Sequence, residues 1–212
     1  MRLHYRLLVI LLGIHALCLH AAEEPSIVIL GDSLSAAYGM ELDESWPSLL
    51  QQHLKQNGYA YRVFNSSIAG DTTQGGLSRL PRLLEAHRPR VVIIELGGND
   101  GLRGLPLEVT RKNLAQMIEL SRAAGAHVVL AEMRIPPNYG RSYTEQFNET
   151  YHELAERNGV TLLPFLLEDI ALDAKLMQED GIHPTAQAQP LLLEKVWKVL
   201  EPGLAQAAQA GQ

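Results

Sequence analysis

The sequence predicts an α/β protein in which helices cover a parallel β-sheet, and two observations carry this reading. Short runs rich in valine and isoleucine recur at 26–30, 60–64, 91–96, 127–133 and 160–163, each followed by a longer stretch with helical spacing. That alternation is the pattern of strands joined by crossover helices. The third run, Val91-Val92-Ile93-Ile94-Glu95-Leu96, is apolar almost throughout, as a strand buried on both faces must be, and is expected at the centre of the sheet.

Ahead of the first strand, Arg2 and Arg6 precede an apolar run from Leu7 to Leu19, and Ala21 and Ala22 follow it. This is the composition of a secretory signal peptide, and cleavage is expected near Ala22. The run of about 13 residues falls short of the roughly 20 needed to span a bilayer. About 190 residues would remain, enough for one domain, predicted over 23–202. The only cysteine, Cys18, lies inside the signal, so a thiol nucleophile is excluded. Leu17 before it is bulkier than a lipidation site expects. Losing two arginines and no acids would move the formal charge from −6 to about −8. An acidic chain lacks the basic stripe that phosphate backbones require, so no nucleic-acid partner is expected.

Between the strands, Trp46, Leu49, Leu50 and Leu54 keep to one helical face before Asn57-Gly58. Phe147, Tyr151 and Leu154 do the same before Asn158-Gly159. Both dipeptides suit helix C-termini. Leu191, Leu192, Val196, Val199 and Leu200 mark a last helix, which Pro202 is expected to end, leaving 203–212 as a flexible tail. Met117, Met133 and Tyr151 read as packing residues. His53, His87, His127 and His152 read as surface or edge residues.

Four segments carry chemistry. Gly31-Asp32-Ser33-Leu34-Ser35 places a serine just past the carboxyl end of the first strand, the edge at which open parallel sheets bind ligands. Ser35 departs from the G-x-S-x-G lipase signature, and a lone serine here is more often a turn or N-cap residue. In Asp180-Gly181-Ile182-His183-Pro184 one turn supplies a carboxylate and an imidazole, so Asp180 can orient His183 toward the serine. Gly97-Gly98-Asn99-Asp100 puts an amide donor at the same edge. Ser67-Ile68-Ala69-Gly70-Asp71 adds a glycine whose N–H can approach a substrate atom. Each segment alone can be an ordinary turn. Asp32, Asp71 and Asp100 are expected to make structural hydrogen bonds rather than a metal site.

Taken together and in this order, the G-D-S-L serine, the block-two glycine, G-G-N-D and D-G-I-H-P resemble the SGNH (G-D-S-L type) hydrolase superfamily. The context from Gly31 to Gly39, Gly70 to Leu80, Glu95 to Leu105 and Asp180 to Pro184 looks like that of the bacterial multifunctional thioesterase I, protease I and lysophospholipase group. The resemblance implies a three-layer α/β/α sandwich with a five-stranded parallel sheet in the flavodoxin-like order 2-1-3-4-5. It implies Ser33 as nucleophile, His183 as base and Asp180 as its orienter. Ser33, Gly70 and Asn99 would form the oxyanion hole, Gly101–Gly104 a mobile substrate loop, and Leu102 and Ile135 the border of an acyl groove. Neither metal nor organic cofactor is implied.

The expected activity is hydrolysis of acyl esters, thioesters and lysophospholipids in the periplasm or outside the cell, by a monomer that makes at most transient contact with a membrane surface. The nearest rival is a short-chain carbohydrate or aryl esterase with the same triad. A non-catalytic nucleotide or phosphate binder is more remote, since the chain has no G-x-G-x-x-G or P-loop.

Overall fold

The structure is a computed structural model that describes residues 24–210. The proposed signal peptide over 1–22 lies outside the described residues. Five strands form one parallel sheet: β1 (Ser26–Gly31), β2 (Arg62–Asn65), β3 (Val91–Glu95), β4 (His127–Ala131) and β5 (Thr161–Leu163). Their order is β2-β1-β3-β4-β5, as the resemblance implies. β1 and β3 are buried at every position, which is why their sequences read as unbroken apolar runs rather than alternating ones.

Between the strands run α1 (Trp46–Gln56), α2 (Thr73–His87), the short α3 (Gly98–Leu102), α4 (Leu107–Ala123) and α5 (Arg141–Asn158), with α6 (Gln189–Ala210) closing the chain. The first crossover moves from β1 outward to β2 and the next three run the other way across the sheet. Right-handed connections therefore put α1 on one face and α2, α4 and α5 on the other. α6 packs on α1, α2 on α4, and α4 on α5, completing the three layers. Trp46, Leu50 and Leu54 of α1 are fully buried, as are Leu192 and Val196 of α6. Asn57 caps α1 and is followed by Gly58 at φ 77°, while Gly159 ends α5 at φ 59°. Both stops are left-handed turns that glycine adopts without strain.

Two expectations for the last helix change. Leu191 is 44% exposed and lies off the core. Pro202 does not end α6, which continues to Ala210, and Leu204 beyond it is 1% exposed. A proline removes one N–H from the helix ladder; here the proline ring faces solvent and the burial of Leu204 keeps the next turn against the sheet. Packed structure thus extends past 202. Among the described residues, no helix is long and apolar enough to cross a membrane.

Candidate active site

The loops after β1 and β3 line the site, and the loop after β2 lies beside them at the same edge of the sheet. After Gly31 the chain does not enter a helix. It makes a run of turns through Gly39, with Ala37 at φ 57° and Gly39 at φ 72°. Asp32 shapes the first of these: its Oδ1 accepts from Leu34 N at 3.1 Å, and its carbonyl accepts from Ser35 N at 3.3 Å. Ser33 therefore caps no helix; its hydroxyl projects from a turn. Ser35, the residue that breaks the lipase signature, is fully buried and donates from Oγ to Glu95 Oε2 at 2.7 Å.

Across from this turn, His183 Nε2 lies 2.9 Å from Ser33 Oγ, and His183 Nδ1 lies 2.6 Å from Asp180 Oδ2. Asp180 Oδ1 accepts from the backbone N–H groups of Ile182 at 2.9 Å and His183 at 3.0 Å. The backbone N–H of His183, with the imidazole and the Ile182 N–H adding to it, draws the Asp180 carboxyl down to about 2. It is thus a carboxylate at neutral pH and can only accept, which assigns the imidazole proton to Nδ1 and leaves Nε2 to accept from the serine.

Two further residues brace this pair. The ring of Tyr38 lies against the His183 imidazole, centroids 4.1 Å apart and planes tilted by 32°. Gln178 Nε2 donates to the carbonyls of Tyr38 at 2.9 Å and Pro184 at 3.0 Å, tying the serine turn to the histidine turn.

Asn99 stands in the first turn of α3, after Gly97 at φ 114°. A side chain at Gly97 would meet the Tyr151 hydroxyl at 2.1 Å, so glycine is required both for the backbone and for the contact. Asn99 Nδ2 donates to Asp32 Oδ2 at 3.0 Å, leaving its second amide hydrogen for a ligand. Gly70 has φ 77°, and its carbonyl accepts from Arg103 Nη2 at 2.8 Å. Its loop is pinned to the same sheet edge by Ile68 N donating to Gly31 O at 3.1 Å.

Ser33, Asn99 and His183 line one side of a cavity of about 480 Å³ whose other walls are largely apolar and include Leu102, Ile135 and Phe165. Met133, assigned to packing on periodicity, is 4% exposed and also contributes to this wall. A second hollow, lined by Glu108, Arg111, Lys112 and Arg157, is charged and holds no serine or histidine. The three flanking aspartates are engaged by protein donors: Asp32 as above, Asp71 by Arg79 at 2.9 Å, and Asp100 by the backbone and hydroxyl of Thr73.

Sequence reasoning missed Glu95, Tyr38 and Gln178. Only Glu95 leaves a signal, as the one charged residue in the most apolar strand.

A serine hydroxyl bonded to an oriented imidazole, beside amide donors and an apolar cavity, has the parts needed for acyl transfer. Known proteins agree with that chemistry. The chain is 49% identical over 181 residues, 84% of its length and 90% of the relative's, to an arylesterase of Vibrio mimicus. It is 46% identical over 186 residues, 88% of each chain, to thioesterase 1/protease 1/lysophospholipase L1 of Escherichia coli K12. Among solved structures it superposes with a TM-score of 0.82 on the psychrotrophic esterase EstA of Pseudoalteromonas, inhibited by monoethylphosphonate. That match is 41% identical and covers 85% of this chain and 98% of the other. Residues 29–190 match the GDSL-like Lipase/Acylhydrolase family, and the chain belongs to it.

Proposed function

We propose that this protein is an exported serine esterase and thioesterase that works through an acyl-enzyme on Ser33. The observation that carries the reading is the continuous relay Ser33–His183–Asp180 opening onto an apolar cavity. Ser33 Oγ attacks the acyl carbonyl carbon as its proton passes to His183 Nε2. The Ser33 and Gly70 N–H groups and the Asn99 amide receive the oxyanion, each worth about 3 kcal/mol when preorganised. Collapse expels the alcohol or thiol, which takes the proton from His183. Water, activated by the same imidazole, then releases the acid.

The apolar wall formed by Leu102, Ile135 and Phe165 favours medium and long acyl chains over acetyl. Export through the segment 1–22 would put the enzyme outside the inner membrane, where lysophospholipids and related acyl esters are more accessible than acyl-CoA thioesters. The test is a p-nitrophenyl ester series from acetyl to palmitoyl on purified protein, with Ser33→Ala and a serine-directed phosphonate as controls. Turnover should fall about four to six orders of magnitude in Ser33→Ala and favour the longer chains. Acetyl preference would replace this reading with a short-chain carbohydrate or aryl esterase. A loss below tenfold in Ser33→Ala would refute the acyl-enzyme.

A further inference from the structure

β3 carries a second carboxyl group into the dry interior beneath the site. Glu95, its last residue, is 0% exposed, and its Cα pairs with that of Gly31 on β1. The absent side chain at Gly31 makes room for it: a Cβ there would approach Glu95 Oε2 to 2.6 Å. Oε2 accepts from Ser35 Oγ at 2.7 Å and Asp32 N at 3.2 Å, whereas Oε1 accepts from no donor among the described residues. Asp32, next to it, is 2% exposed and holds Asn99 Nδ2 on its own Oδ2.

Neither carboxyl has an ion-pair partner among the described residues. Arg79 of α2, whose Nη2 donates to Gly31 O at 3.4 Å, is paired with Asp71. Asp100 of α3 is occupied by Thr73, and Tyr151 of α5 gives its hydroxyl to Leu96 O. His183 acts on Asp32 only through space. Two adjacent buried carboxyl groups with no cation cannot both ionise, so one proton stays with the pair.

We propose that Glu95 is a positioning residue for the oxyanion hole, keeping that proton and donating it to the Asp32 carboxylate, which in turn aims the Asn99 amide at the oxyanion. The inference rests on the reading of Asn99 as an oxyanion donor. Burial and the neighbouring Asp32 charge push Glu95 well above the usual carboxylate range. Burial raises Asp32 to about 6, opposed by hydrogen bonds from Leu34 N, Glu95 and Asn99. Both Asp32 oxygens accept from protein donors, Leu34 N and Asn99 Nδ2, whereas Glu95 Oε1 accepts from none, so the proton sits on Glu95 and Asp32 carries the charge at neutral pH. An amide nitrogen has two hydrogens in one plane, so anchoring one on a charged acceptor fixes the line of the other.

The test is a double-mutant cycle on a p-nitrophenyl ester, combining Glu95→Gln and Glu95→Leu with Asn99→Ala. Glutamine reproduces a protonated glutamate, so Glu95→Gln should keep kcat within about fivefold of the unsubstituted enzyme. Glu95→Leu should lower kcat about 30- to 100-fold with KM within about threefold, because the lost contact matters in the transition state. In the Asn99→Ala background the same change should cost less than about threefold more. An infrared difference spectrum between the unsubstituted enzyme and Glu95→Gln at neutral pH should show a protonated-carboxyl band that the variant lacks.

Equal damage by glutamine and leucine, or absence of that band, would overturn the proposal by making Glu95 an ionised acceptor. A fully additive loss in the Asn99→Ala background would overturn it by showing that Glu95 acts elsewhere. Should the leucine variant fail to fold, the glutamine kinetics and the infrared band still decide. A failure of the wider reading looks different: Ser33→Ala would retain activity whatever the Glu95 variants do.

Discussion

Asp180 lies at the mouth of the site with 38% of its side chain exposed, whereas Asp32, on the other flank of Ser33, is 2% exposed. Backbone N–H groups bring the first down to about 2, while burial lifts the second to about 6. Two aspartates near one serine thus differ in charge behaviour because one is ringed by donors in water and the other is buried in a dry wall. Position along the chain says nothing of this, and the two are suited to different tasks. The exposed carboxylate can hold an imidazolium, and the buried one can hold a neutral amide in place.

The comparison is sharpened most by breaking the exposed side. His183→Ala removes the base and should lower kcat by about five to six orders of magnitude. Asp180→Ala should lose about one to two orders fewer, since Gln178, Tyr38 and the Met177–Pro184 bridge still hold the turn and water can reach Nδ1. Steady-state kinetics on one activated ester checks both, and equal or reversed losses would contradict the assigned roles. On the buried side the expected effect is smaller. Asn99→Ala removes one of three oxyanion donors and should lower kcat about 100- to 1,000-fold while leaving KM near its original value. A rise in KM with kcat intact would make Asn99 a ground-state contact instead.

The same division governs what the sequence reveals. Strands buried on both faces announce themselves by composition, so β1 and β3 could be anticipated from it, whereas the strand order comes only with the family resemblance. The D-G-I-H turn could be anticipated because Asp180 and His183 are neighbours in sequence, joined by a left-handed glycine at φ 67°. Glu95 marks itself as the one charge in an apolar strand, but its role does not follow from that, because its partner Asp32 is 63 residues away. Gln178 meets Tyr38 across 140 residues and leaves no local pattern. Met133 reads as core in the sequence because periodicity reports burial and not which buried surface borders a cavity. The run of α6 through Pro202 follows from the burial of Leu204 against the fold, which a local helix-breaker rule does not register.

The smallest effect is on stability, and there the two aspartates should oppose each other. Asp180 has a folded value of about 2 against an ordinary 3.8, so its contribution is present above pH 3.8 and is lost as pH falls toward 2. Asp32 has a folded value of about 6 against the same 3.8; its stabilising contribution is present below pH 3.8 and is lost as pH rises through 6. Thermal unfolding followed from pH 2 to 7 should therefore show Asp180→Asn flattening the acid limb below pH 4 and leaving the region from 4 to 6 unchanged. Asp32→Asn should do the reverse, removing a downward slope between pH 4 and 6 whatever it does to the absolute Tm. Because Asp32 and Glu95 share a wall, the slope belongs to the pair. A slope that survives Asp32→Asn and disappears in Glu95→Gln would place the titrating proton on Glu95 in that range and reverse the assignment of charge within the pair.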